Sequence, residues 1–307
     1  FIGACPRSGT TFLGERLGVL LNGRVTPESQ FKRDIFAAFD EQRATDLHNI
    51  LESSFYYRLW ANRPSRADLD AAAEEGPQAF LTRLVFPEGI ENHPTGIWID
   101  HTPVNLSLFN LLVECFPAAC FVHILRAGRA VYASVRKLSW GPNNPVEAAW
   151  WWRAQVSVGM AASLIHPERC LTVTYERLVQ GDFDEWTKLV RFLLDDPNHV
   201  VKDTDIDSET NYALPEFTRH QHKLVGGKPA ADRAQAWKSE LSLREIEIFE
   251  ANSGGLLESV GYKRLYPHAR HATRREKLRF GEWPVRIKST PLRSLQSWLR
   301  RARVRQT

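Results

Sequence analysis

Arg7-Ser8-Gly9-Thr10-Thr11 puts a cation, three hydroxyls and a glycine into one turn. The turn follows an apolar run, Phe1-Ile2-Gly3-Ala4-Cys5-Pro6, and leads into Phe12-Leu13. A strand, a tight turn and a helix start in that order make an anion cradle. The first N–H groups of a helix have no intrahelical partners, and its N-terminal end carries partial positive charge. The phosphate loop of ATP- and GTP-using proteins places a Lys directly before a Ser or Thr that holds Mg²⁺. No Lys precedes Thr10 here, and the cation, Arg7, stands at the front of the turn. The plainer alternative is a capping turn without a ligand, since Ser and Thr favour such positions anyway.

Other residues could complete a site. Arg126 ends an apolar run and Ser134 follows eight positions later on a predicted helix. If that run pairs beside the first, both residues reach the same carboxyl edge of a parallel sheet, where such folds bind ligands. An arginine fork suits a phosphate because it donates two parallel hydrogen bonds. Tyr175-Glu176-Arg177-Leu178 follows another apolar run, and Ala234-Gln235-Ala236-Trp237-Lys238 lies later, with Arg233 and Lys228 nearby. For a base, Glu28 sits where the chain returns after the first helix, and His101 opens His-Thr-Pro at the end of Gly96–Asp100. Histidine titrates near neutrality. Asp100 is poorly placed to orient His101, because neighbours on a strand point to opposite faces.

Together these motifs, spread from residue 6 to about 238, resemble sulfotransferases that use 3′-phosphoadenylyl sulfate (PAPS), of the bacterial, Golgi carbohydrate and tyrosylprotein kind. The resemblance implies that Arg7, Ser8, Gly9, Thr10 and Thr11 hold the 5′-phosphosulfate. It gives the 3′-phosphate to Arg126 and Ser134, with Arg233 or Lys228 as a further ligand beside the cofactor-binding Trp237-Lys238 element, and the adenine to Tyr175 or Phe12. It implies in-line transfer of a sulfuryl group to a hydroxyl or amine of a small-molecule, glycan or lipid acceptor. Adenosine 3′,5′-bisphosphate leaves, and no metal takes part. Glu28 stands where relatives place a catalytic Glu. His101 stands where they have a Lys, which makes it either a rival base or, with Arg7, a stabiliser of transferring charge. Two departures are visible: Ala127-Gly128 replaces the usual Asp-Pro after Arg126, and the glycines around Trp237-Lys238 are missing. A non-catalytic nucleotide- or glycan-binding protein of the same fold, or a P-loop kinase, are the rival functions.

The elements that must position these residues read as an α/β fold, a central parallel sheet with helices on both faces. Strands are predicted at Phe1–Cys5, Gly96–Asp100, Ala119–Leu125 and Cys170–Thr174, with helices over 11–21, 129–138, 146–165, 183–194 and 234–251. Residues 26–31 are expected to be an irregular return. The stretch 34–91 reads as a helical insertion over the acceptor side, and its aromatics suit a sugar, a lipid or a natural-product hydroxyl. Of Trp150-Trp151-Trp152, one is expected in the core and another at the acceptor pocket.

At 307 residues, 43% hydrophobic and 25% charged, the chain can bury a large core in a single domain, 1–265, followed by a basic tail, 266–307. The net charge of +4 hides an asymmetry: from Arg270 onward there are twelve Lys/Arg against two acids, which leaves the rest at −6. That excludes a nucleic-acid role for the main domain. Leu292, Leu295 and Leu299 in the tail have helical spacing, so a basic amphipathic helix there could touch a membrane surface or an acidic partner. Cys5, Cys115, Cys120 and Cys170 read as buried free thiols without metal-ligand spacing, which points to a reducing compartment, the cytoplasm. Because the chain starts inside a strand, a preceding signal or Golgi anchor stays open. Asn105-Leu106-Ser107 fits a glycosylation sequon, a pattern common by chance.

Overall fold

The computed structural model describes residues 1–41, 46–201 and 232–280. Strand β1 (Ile2–Ala4) pairs in parallel with β4 (Phe121–Leu125), which pairs in parallel with β5 (Cys170–Thr174). A second parallel pair joins β2 (Arg24–Thr26) to β3 (Trp98–Asp100). The predicted strands are thus present in trimmed form. β2 is an addition: its three residues precede the expected irregular return and overlap it only at Thr26, and they are too few to show an alternating pattern.

Strand periodicity sorts the sheet's side chains. Ile2, Ala4, Val122, Ile124 and Val173 face helices α1 (Thr10–Leu20) and α10 (Phe183–Leu194), packing with Leu13, Leu17, Trp186 and Leu189. The other face meets α8 (Pro145–Ile165), where Gly159 lies so close to the His123 ring that a Cβ would come within 2.2 Å of it. β4 is buried along its whole length, as a strand covered by helices on both faces must be. The helix starts follow from local chemistry. Asn144 accepts from the Val146 and Glu147 N–H groups with Pro145 next in line, and Asp182 accepts from Glu185 N–H to open α10.

The stretch 34–91 is helical, as expected, built from α2 (Lys32–Asp40), α3 (Leu47–Ser53), α4 (Arg66–Glu75) and α5 (Pro77–Val85). Its aromatics have a different use from the one predicted. Phe36, Tyr57, Trp60, Phe80 and Phe86 are buried in a core of their own with Leu47, Leu81 and Leu84, which continues into Leu106, Phe109 and Phe121. Small helices have little else with which to bury their apolar faces, so large rings go inward. Of the tryptophan triplet, Trp152 is fully buried, Trp151 partly, and Trp150 is 58% exposed.

Cys5, Cys115 and Cys170 are buried free thiols, and Cys120 is free and partly buried. Asn105 is fully buried and donates to the carbonyls of Ile2 and Asp100, so the sequon match is a core residue. Beyond residue 265 the chain remains tied to the body: Arg270 pairs with Glu247, and Arg244 with Glu276. The predicted tail helix around 292–299 lies outside the described residues. Among the described residues no helix is long and apolar enough to cross a membrane.

Gly159→Ala tests the seating of α8 on the sheet. Alanine favours a helix over glycine by about 1 kcal/mol. The clash with a fully buried ring held at 3.1 Å by Thr172 outweighs that gain. The expected result is a net loss of about 1–2 kcal/mol in denaturant unfolding; an unchanged or raised midpoint would contradict the packing.

Candidate active site

The parallel register of β1 and β4 brings their carboxyl ends together, and with them the two arginine motifs. Arg126 donates to the Arg7 carbonyl at 2.6 Å, and Arg7 Nε donates to Ser134 Oγ at 3.1 Å. The cradle and the Arg126–Ser134 pair therefore form one continuous surface.

The cradle's backbone is unusual. Arg7 has φ 75° and Gly9 φ 96°, both left-handed. For Arg7 that conformation costs on the order of 1–2 kcal/mol, and strain of this kind is commonly held at functional sites. Gly9 is required twice over, because a Cβ would also lie 2.5 Å from the Tyr175 ring. α1 starts at Thr10, and its cap residue, Gly9, has no side chain with which to bond the first N–H groups. Among the described residues the hydroxyl of Ser8, 1% exposed, has no partner. A buried hydroxyl left unbonded beside open helix N–H groups fits a bound anion, since leaving it unsatisfied is otherwise costly.

Tyr175 supports this surface. Its ring lies against Gly9, under the Arg126 guanidinium at 4.2 Å, and edge-on to Phe12 at 6.3 Å. Glu176, the next residue, accepts from Ala127 N–H at 3.0 Å and from the Tyr262 hydroxyl at 2.8 Å. Ala127-Gly128 then has a physical reason: Gly128 opens α7 (Gly128–Val135) against Phe249 and Trp152, 2.5 and 2.8 Å from where a Cβ would stand. Trp152 donates to the Arg126 carbonyl at 3.0 Å.

The late motif is only partly near this surface. Trp237 is buried, with the Arg129 guanidinium 4.3 Å above its ring, and Arg129 in turn pairs with buried Glu250. Trp237 is thus a wedge behind α7, and Lys238 is exposed. Arg233 falls in the short helix Asp232–Gln235, and Lys228 lies outside the described residues.

Glu28 is partly buried between β2 and α2, and its Oε2 accepts from Gln30 at 2.8 Å. Burial pushes its carboxyl up to about 7, and Asp100 adds to this. The Gln30 bond, Arg7 and Lys32 oppose the rise. His101 is buried against α1, where a Cβ on Gly14 would sit 3.0 Å from the His101 Cβ. Burial lowers its pKa against the pull of Asp100, so the imidazole is neutral at pH 7.

Of five residues near these two, the motifs touch Asp100 and Thr102 only as neighbours of His101 and Asn105 only as part of a sequon, and leave Lys32 and Ser29 unmarked. Lys32 and Asp100 form a fully buried ion pair, joined by Ser29, Thr102 and Asn105. Burial raises the Asp100 pKa, but Lys32 and the Ser29 and Thr102 hydroxyls outweigh it and hold the group well below the usual carboxylate range. Asp100 turns to Lys32 and away from His101, as strand alternation predicts. A lysine is so rarely buried that nothing local marked Lys32. The available hint was its place four residues after Glu28, at the start of the helix that follows that loop. Among the described residues no three His, Cys, Asp or Glu side chains cluster as a metal site.

The sulfotransferase family profile matches residues 1–194. In fold the chain is similar to the sulfotransferase domain from the Synechococcus PCC 7002 olefin synthase, at 21% identity and a TM-score of 0.55, covering 86% of this chain and 94% of that one. It is similar also to the sulfotransferase domain from the curacin biosynthetic pathway, at 17% identity and a TM-score of 0.51, covering 86% and 97%. None of the curated proteins matches. With the strand–cradle–helix at its start and more than half its length under one family profile, the chain belongs to the sulfotransferase family.

Proposed function

We propose that this sulfotransferase takes its sulfuryl group from PAPS and passes it to a hydroxyl or amine of a small-molecule, glycan or lipid acceptor, with Glu28 as the base. The observation that carries the donor is the buried Ser8 hydroxyl, without a partner among the described residues, at the N-terminus of α1 and between two left-handed residues. When bound, PAPS supplies a sulfuryl group attached to a leaving nucleotide. Ser8, Thr10, Thr11 and the N–H groups of the turn would hold its 5′-phosphosulfate, and Arg7 would offset the charge that grows there. Arg126 and Ser134, contiguous with the cradle, would hold the 3′-phosphate, the group that separates this nucleotide from ADP.

Glu28 takes the acceptor proton. A carboxyl held at about 7 is a better proton acceptor than an ordinary glutamate and is still substantially ionised at neutral pH. His101, neutral and buried, offers a hydrogen bond to the transferring group and stands as the second candidate for the base.

Three outcomes are expected. In calorimetry, adenosine 3′,5′-bisphosphate binds at least tenfold more tightly than ADP, and Arg126→Ala removes most of that preference; equal weak binding of both would sink the donor assignment. With labelled PAPS and a panel of phenols, sugars and lipid alcohols, Glu28→Gln lowers transfer by about 10²–10⁴-fold, and near-normal transfer would pass the role of base to His101. The same variant carries a stability signature. Folding raises the Glu28 pKa from 4.5 to about 7, so the wild type loses stability as pH rises through that window. Glu28→Gln escapes this loss, and its thermal midpoint gains on the wild type between about pH 4.5 and 7.

A further inference from the structure

One buried network joins the loop that carries Glu28 to the strand end that carries His101. Lys32 donates to Asp100 and, at 2.6 Å, to Asn105 Oδ1. Asp100 also accepts from the Ser29 hydroxyl and from the N–H and hydroxyl of Thr102. Ser29 N–H donates to Thr102 Oγ1 at 2.8 Å, a second tie between the two segments. The rings of Phe1 and Trp98 lie 5.2 and 5.5 Å from Lys32 Nζ, which completes its enclosure. Such a pair is a poor choice for stability alone, because apolar residues of similar volume commonly hold a core as well or better. Its members interleave in sequence with the two reactive side chains: Glu28 directly precedes Ser29, and His101 stands between Asp100 and Thr102.

We propose that Lys32 and Asp100 are positioning residues for sulfuryl transfer, their buried ion pair fixing Glu28 and His101 in place relative to each other and to the cradle. The proposal rests on the assignment of the base to Glu28 or His101, and holds for either. The charged groups that act on Glu28 are Asp100 from β3, Arg7 from the cradle and Lys32 from α2; those on His101 are Asp100 and Lys32. At both sites Asp100 outweighs Lys32, so removing the pair together lowers the titration midpoint of each.

The test is the double variant Lys32→Met/Asp100→Asn, which keeps volume and removes both charges, so that no buried charge is left alone. Glu28 is followed by carbon NMR on protein labelled at its glutamate carboxyls, with Glu28→Gln identifying the resonance. Turnover is read as release of labelled sulfate from PAPS with water as acceptor, beside calorimetric affinity for adenosine 3′,5′-bisphosphate. The expected variant unfolds near the wild-type midpoint and binds the nucleotide normally. It turns over at least tenfold more slowly, and its Glu28 midpoint moves down. Wild-type turnover together with an unmoved midpoint would overturn the proposal. Should the double variant fail to fold, Ser29→Ala decides: it removes one hydroxyl that ties the Glu28 loop to Asp100, and unchanged turnover there overturns the proposal equally. Failure of the wider assignment looks different, since a wrong donor abolishes nucleotide binding in the wild type, and a wrong base leaves Glu28→Gln active while the double variant is still slowed.

Discussion

The pairing of β1 with β4, locked at its carboxyl end by Arg126 on the Arg7 carbonyl, is the constraint on which the rest of the structure depends. A parallel ladder points both strand ends the same way, so a turn after one strand and an arginine after the other must meet. The lock does more than join two loops. Arg126 binds a carbonyl of a residue held in a left-handed conformation, and its other face lies on Tyr175, which in turn packs on Gly9. Three strand ends thus hold one turn in a shape that it would not keep alone.

Around this turn, carboxylates serve as fasteners. Glu176 binds the N–H of Ala127 and the hydroxyl of Tyr262. Glu250 binds Arg129 and the N–H groups of Leu265 and Tyr266. Asp100 binds Lys32, Ser29 and Thr102. Each is buried or partly buried and holds together segments distant in sequence, where charge-assisted hydrogen bonds are strongest. Glu28 behaves differently. It accepts from Gln30, but burial dominates and lifts its carboxyl to about 7. Asp100, nearby, is held low instead, and such divergence between neighbouring carboxyls is what the proposed base would require.

Much of this was legible before any fold was known. The apolar run of β4, buried on both faces, the start of α1 and the cradle between β1 and α1 all rest on local signals: continuous hydrophobicity, small hydroxylated residues and a glycine at the turn. The Arg126–Ser134 pair followed from the expectation that β1 and β4 are neighbours, a question of topology that the ladder answers. Where prediction strayed, non-local packing was the cause. The aromatics between 34 and 91 looked like lining for an acceptor but form the core of their own helices, because periodicity shows which residues share a face and not what covers it. Trp237, expected at the nucleotide, is buried beneath Arg129, a contact that no local signal shows.

By itself the sequence determined the chemistry on offer: a cradle without the P-loop lysine, an arginine and serine on the adjoining strand and helix, and a glutamate and a histidine at two returns of the chain. These depend on residue type and short spacing, which survive in one dimension. Only the tertiary structure decided how they are set. Burial, the Lys32–Asp100 pair and the contact between Gly9 and Tyr175 arise between residues 68 to 166 positions apart in the chain. Desolvation and close approach are properties of an enclosed volume, and no stretch of residues carries them until the chain has closed around it.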